Sequence, residues 1–545
     1  MDSWGKISFD FYTFGSLVGV IFTFYNAQLF LTVKEKSEAT FNLGMGTLWL
    51  GIFHFGYLIN FSFMGPASAY MRWFVITGAM AGSVYLTGFF LSYPEIYYPR
   101  LKKSIFRILS GVVILVTAYF VFVSFKAGRL FFFSGHYWDF PLPLFYKAYA
   151  LIVLVFFVTF TVLALIQLFK MPKENRFTLI SILISFVLVT MIPGFLNVLS
   201  RDGAIGRGLY QTITDLVLVV GLFVANVVYI NNTKDKTTII SRIIGISLAS
   251  FLLILQLVAY SVIQQTESNY DLVHTARAKN YIFGLETDQV PSFHYSYDIK
   301  NKTFITHKGL EETKLEPKEY VTEFWNVWVL EMILSFESSS DWKEKTKELI
   351  LDLPEMNRGY SKEITRLLSD DSIKSPKDLI GEIESEKRKI LYTRNKLKEI
   401  PIAGFTEKAN DLVKKEEGAL SGFYAEARSV LSSSLSEEKK YKSLDLMFSP
   451  MPNHGERNYR GQVKFESKEP NFSFYVSYLI VDKKNAIVHE VGYPYNDYRS
   501  FQHEVTLPWI IGLIALAILV IFGYRLFFLI ALIRPIEQII EGLTE

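Results

Sequence analysis

The sequence predicts a mainly α membrane protein: a seven-helix transmembrane bundle plus two further spans that flank an α+β extracytoplasmic domain. Three observations predict it. Half of the 545 residues are hydrophobic and only 20% are charged. The charge is unevenly placed, since residues 264–507 hold 40 of the 53 acidic and 35 of the 56 basic side chains. The rest, with 13 acidic and 21 basic residues, resolves into apolar runs of the ~20 residues that a helix needs to cross a hydrocarbon core. The charged stretch nets −5 and reads as water-soluble, whereas the remainder nets +8 and reads as membrane.

The apolar runs fall near 11–33, 41–63, 74–92, 107–124, 143–169, 177–199, 208–230, 243–263 and 509–532. Asp2 and Asp10 with only Lys6 as a nearby cation, followed at once by further spans, argue against a cleaved leader, so the first helix is expected to stay. Loops after the first, third, fifth and seventh helices carry twelve Lys and Arg, and the N-terminus with the alternate loops carries six. The basic set is therefore expected in the cytoplasm. This places the N-terminus and residues 264–507 outside and the C-terminus inside. The organisation that follows is a seven-helix unit at 1–230, a cytoplasmic loop at 231–242, helix 8 at 243–263, the soluble domain at 264–507, helix 9 at 508–532 and a tail at 533–545.

Within the soluble domain, Gln264–Phe283 lacks Pro and Gly, so helix 8 is expected to run on as a long rod. Phe293-His-Tyr-Ser-Tyr-Asp298 has a strand pattern. Ser375-Pro376-Lys377-Asp378 supplies an N-cap, a proline at N1 and an acid at N3, and Leu379, Ile383, Ile390 and Leu397 then share one helical face. Phe472–Val481 and Ala486–Val491, separated by a turn-like Asp482-Lys-Lys-Asn485, read as a hairpin. The absence of cysteine excludes disulfides, thiolate metal sites and cysteine nucleophiles.

Ionisable groups inside a span are costly and mark candidate sites. Asp215 in the seventh helix is the strongest, as either a structural polar contact or a ligand-sensing or switching group; His54, with Asn60, is weaker. Pro193-Gly194 is expected to kink the sixth helix and free carbonyls that Asn197 or a neighbour satisfies. His136, Trp138 and Asp139, in the long loop between helices 4 and 5, are either interface anchors or a lid over an outward-facing pocket. A retinal pigment is disfavoured because 208–230 contains no lysine for a Schiff base. No Walker A loop, dinucleotide fingerprint, HExxH or EF-hand loop occurs, and none of the eight histidines pairs with another at metal-ligand spacing. No metal, cofactor or catalytic set is expected, and a formal charge of +3 gives no reason to expect nucleic acid. His454, Glu456, Arg457 and Arg460 form a polar cluster that is either solvated or anion-binding.

Three resemblances follow from these residues. Phe90-Leu-Ser-Tyr-Pro94, Ile192-Pro193 through Asn197, and Asp215 resemble the seven-transmembrane region that precedes bacterial histidine kinases and other signalling outputs. A membrane-rooted helix first, hairpin strands last and helices between resemble the extracytoplasmic Cache/PAS-like sensor domains of bacterial receptors. Arg534-Pro535 followed by Ile536, Ile539 and Leu543 at coiled-coil spacing resembles the first helix of a HAMP linker. Together they imply a homodimeric inner-membrane receptor that binds a small-molecule ligand. It would relay the stimulus through helices 8 and 9 to an output domain: a SpoIIE/PP2C-like phosphatase, a histidine kinase or a nucleotide cyclase. The alternative class is a multi-pass transporter or channel subunit with a large outer domain, against which stand few inner ionisable groups and no inverted pair of broken helices.

Overall fold

The computed structural model describes residues 7–133, 135–201, 205, 207–233, 235, 239–285, 287–299, 301, 303–309, 330–351, 364–398, 400–415, 421–447, 457–464, 471–482, 485, 487–528, 530–531 and 534–535. They form two compact units. The first comprises 1–198, 206–266 and 499–545, and the second 199–205 and 267–498.

The first unit is helical: α1 Phe11–Leu31, α2 Glu38–Ser62, α3 Arg72–Phe90, α4 Pro99–Lys126, α5 Pro143–Lys170, α6 Lys173–Arg201, α7 Arg207–Asn232, α8 Ile239–Ile282 and, much later in the chain, α15 Tyr495–Ile518. Local chemistry starts these helices where the chain must turn. Asp10 caps α1 by accepting from the Thr13 backbone N–H at 2.8 Å, Ser37 caps α2 through the Thr40 N–H at 3.2 Å, and Pro99 and Pro143 occupy the first turns of α4 and α5. Pro193 lies inside α6 without ending it. A short hairpin, β1 Leu130–Phe132 and β2 Tyr137–Asp139, joins α4 to α5.

Among the described residues, eight helices are long and apolar enough to cross a membrane. The chain is a mainly α, multi-pass membrane protein. The expected span at 41–63 is the helix α2, but with Asn42, His54 and Asn60 on it, it is not among the eight. It lies against α1 and α3, and at Gly78 the helices approach so closely that a Cβ would stand 2.8 Å from the Trp49 carbonyl oxygen and the Phe53 nitrogen. Only glycine fits there. α4 and α5 turn large side chains such as Leu115, Phe122, Leu151 and Phe169 outward, which is stable only where the solvent is itself apolar. Phe14, Phe90, Phe160, Phe186, Leu222, Leu252 and Leu513 share one core, so α8 and α15 pack into it with the earlier helices.

The second unit carries an antiparallel five-stranded sheet of order β4-β3-β7-β6-β5, from β3 Phe293–Asp298, β4 Thr303–Lys308, β5 Asn458–Lys464, β6 Asn471–Asp482 and β7 Ile487–Pro494. β3 and the β6–β7 hairpin are the strands expected from sequence; β4, despite its Thr303-Phe-Ile-Thr306 run, and β5 were not among them. Between β4 and β5 come α9 Leu330–Ser335, α10 Trp342–Leu351, α11 Pro376–Lys398, α12 Phe405–Lys415, α13 Ser421–Ser432 and α14 Glu437–Met447. α11 starts as its sequence requires: Asp378 N–H donates to the Ser375 hydroxyl at 3.2 Å and Ser375 N–H to the Asp378 carboxylate at 2.9 Å, a reciprocal capping box. Leu379, Ile383 and Leu397 are buried; the Ile390 side chain lies outside the described ones. The C-terminal half of α8 covers one face of the sheet, where Asp271 accepts from the Tyr478 hydroxyl and pairs with Arg457.

The second unit runs to Tyr498. β7 stops at Pro494 and α15 begins at once, and polar residues that follow are satisfied within the first unit: Arg499 by Asp10 and His503 by the Phe9 N–H.

Candidate functional site

Two polar sites stand out, one in each unit. In the sheet, strand alternation sends His294 and Ser296 to one face and Phe293, Tyr295 and Tyr297 to the other. His489 on β7 stands opposite Ser296, hence on the His294 face. β4 reaches the same place through an irregularity. His294 pairs with Lys308 and Tyr295 with Thr306, which leaves His307 as the extra residue of a β-bulge, a device that re-aims a side chain.

The outcome is a three-histidine cluster. His294 Nε2 lies 3.1 Å from His489 Nδ1, and the Ser296 hydroxyl lies 2.9 Å from that Nδ1 and 2.6 Å from His307 Nε2. The His294 and His307 rings stack with centroids 4.2 Å apart. One ring nitrogen from each histidine falls within 4.8 Å of the other two. Tyr281, near the C-terminal end of α8, packs its ring nearly perpendicular to that of His294. Burial, then the neighbouring imidazoles, hold His294 down to about 3, and burial followed by His307 holds His489 down to about 4. Both rings are therefore neutral, with lone pairs available, at neutral pH. No two histidines are spaced along the sequence as metal ligands; sheet register nevertheless brings three of them together.

In the membrane unit, Asp215 is buried on α7. It accepts from Gln211 Nε2 at 2.9 and 3.0 Å and from the Tyr260 hydroxyl of α8. Gln256 Nε2 in turn donates to the Tyr260 hydroxyl at 3.2 Å. Gly15 of α1 stands over this group, where any Cβ would collide with the Asp215 carboxylate. One carboxylate thus meets α1, α7 and α8. A second carboxylate does the same for α15: Asp10 accepts from Arg499 Nη1 at 2.6 Å, both side chains almost fully buried, and Gln502 accepts from that Nη1 at 2.9 Å.

The other sequence candidates are distributed. His54 is buried, with its ring against Gly19 and edge-on to Phe53. Asn197 accepts from Arg207 Nη1 at 2.9 Å. His136 sits in the β1–β2 turn with φ 55°. Trp138 is fully buried and donates to the Met64 carbonyl at 2.8 Å, and Asp139 accepts from Arg72, from Tyr146 and from the Phe140 N–H. The hairpin is thereby stapled to the α2–α3 connection. Pro535 is helical, whereas Ile536, Ile539 and Leu543 lie outside the described residues, as do His454 and Glu456. Of that cluster, Arg457 pairs with Glu267 and Asp271, and Arg460 with the buried Glu490.

The chain matches no family model, no curated protein and no solved structure.

Sequence reasoning missed Tyr260, Arg499 and the histidine cluster. Tyr260 is one of many tyrosines in apolar runs, and Arg499 stands in a polar stretch that reads as soluble domain. For the cluster, a partial signal existed: the alternation in 293–298 already puts His294 and Ser296 on one face. A smaller feature was equally invisible. Asn26 and Asn226 face a cavity of about 80 Å³ between α1, α7 and α8, and the Asn226 amide has no hydrogen-bond partner among the described residues.

Proposed function

We propose that the chain is the sensory and membrane part of a transmembrane signal-transduction receptor, a homodimer in a bacterial inner membrane. Residues 264–507 and the N-terminus face outward, and a stimulus at the sheet domain, the seven-helix bundle or both shifts α8 and α15. The HAMP-like segment at 533–545 passes that shift to a cytoplasmic output such as a phosphatase, kinase or cyclase. The observation that carries this reading is the pair of buried carboxylates. Asp215 binds Tyr260 of α8 and Asp10 binds Arg499 of α15, so each helix that leads to the sheet is fastened to the bundle by a polar contact with few alternatives in apolar surroundings. Such contacts suit a two-state element, because displacing either helix requires exchanging one set of partners for another.

The cysteine-free chain offers a clean test. A single cysteine at Ile536, Ile539 or Leu543 in native membranes should give disulfide-linked dimers, and adding Asp215→Asn should change the cross-linking rate at least about fivefold, as a coupling near 1 kcal/mol requires. Chains that never cross-link at any of the three positions, or a rate indifferent to Asp215→Asn, would sink the relay.

A further inference from the structure

We propose that His294, His307 and His489 form a binding site for a zinc-class divalent transition-metal ion, with three imidazole nitrogens as ligands and the fourth position open to solvent beside His307. The inference concerns the sheet alone and holds whether or not the chain signals.

Ligand geometry is the first argument. A tetrahedral ion with Zn–N bonds of about 2.0–2.1 Å needs its nitrogens roughly 3.3 Å apart. His294 Nε2 and His489 Nδ1 already stand 3.1 Å apart. His307 Nε2 lies just beyond the Ser296 hydroxyl, whose rotation clears the path. His307 is exposed on an edge strand and on a bulge, so it is the ligand free to close the remaining distance, and it marks the route of entry.

Chemistry supplies the second. A ring nitrogen on a covered sheet face normally finds a carbonyl or carboxylate, because an unpaired polar atom there is costly. Here each ring turns one nitrogen toward the others and a shared hydroxyl. Lys308, opposite His294, donates its ammonium to the Pro291 carbonyl at 2.6 Å, and Tyr281 offers an aromatic ring, so neither covering residue brings a competing cation onto the nitrogens. The described donors are imidazoles without a carboxylate, which suits zinc, copper, nickel or cobalt and not calcium or magnesium.

The test uses the full chain in detergent, free of any polyhistidine tag, stripped with chelator and dialysed against micromolar free zinc, with bound metal counted by mass spectrometry. The expected result is one zinc per chain, weakened at least about tenfold by His307→Ala and unchanged by His454→Ala. His307 is exposed, so its removal leaves the sheet core intact. Cobalt, read by visible absorption of the unsubstituted chain, should give the intense bands of a four-coordinate site. Substoichiometric zinc, equal uptake by the His307→Ala chain, or the faint spectrum of six-coordinate cobalt would each overturn the site.

Discussion

Asp10 shows how much one side chain settles. One oxygen caps α1 through Thr13 and the other holds the Arg499 guanidinium. Removing one partner of a buried ion pair typically costs about 3–5 kcal/mol, because the other charge is left without compensation. Arg499→Ala should therefore lower the thermal midpoint in detergent sharply, while Asp10→Asn combined with Arg499→Met should recover most of the loss; equal damage from both would show that the loss does not come from the uncompensated Asp10 charge. At His294 and His489 the linkage is acidic. Their folded values lie below the ordinary 6.5, so the unfolded chain takes up protons that the folded sheet refuses. The stability is present in full above about 6.5 and is lost as pH falls toward 4 and then 3. Chelator-treated protein should melt earlier at pH 5 than at pH 7.5, and His489→Gln should narrow the difference. A gap unaffected by that substitution would assign the acid sensitivity to other groups. Asp215 was legible in the sequence because a carboxylate in an apolar run is conspicuous; Asp10 was legible only as an argument against a leader, since its partner lies 489 residues away.

Helices were the most legible elements and their contacts the least. α8 is one helix of 44 residues, about 66 Å long at 1.5 Å per residue, roughly twice what the hydrocarbon core requires. The absence of Pro and Gly beyond the membrane run foretold this. Which helices touch was not foretold, and glycines record it. Gly78→Ala should force α2 and α3 apart and cost about 1–3 kcal/mol, in the range of overpacked cores. Gly111→Ala on α4, where a Cβ meets nothing within 4 Å, should leave the melting temperature unchanged or raise it by the equivalent of up to about 1 kcal/mol. If the two variants melted alike, the close approach of α2 and α3 would be in error. The strands divided in the same way. β3, β6 and β7 carry long aromatic and β-branched runs; β4 carries a short one, Thr303-Phe-Ile-Thr306, which sequence reasoning missed beside its mostly exposed positions, and β5, with Asn458, Arg460 and Gln462, has an edge-strand composition that reads as loop.

For the whole molecule, the Lys and Arg bias between alternate loops predicts sidedness. In intact cells, a membrane-impermeant maleimide should label a single cysteine at Lys374 and spare one at Lys103 until the cells are lysed. The reverse pattern would invert the topology, and labelling of both would remove it. What the sequence by itself determined is which stretches belong to an apolar solvent and which to water, and where several helices and strands begin. Those properties are local: transfer free energy adds up along a run, and a cap or an alternating pattern spans only a few residues. What only the tertiary structure decided is which distant side chains meet. The strand order β4-β3-β7-β6-β5 and one bulge bring His307 and His489 to His294, the latter across 195 residues. A buried carboxylate likewise chooses Tyr260 or Arg499 only once helices pack, because the choice depends on desolvation and distance in the folded core, neither of which is a property of a short stretch of chain.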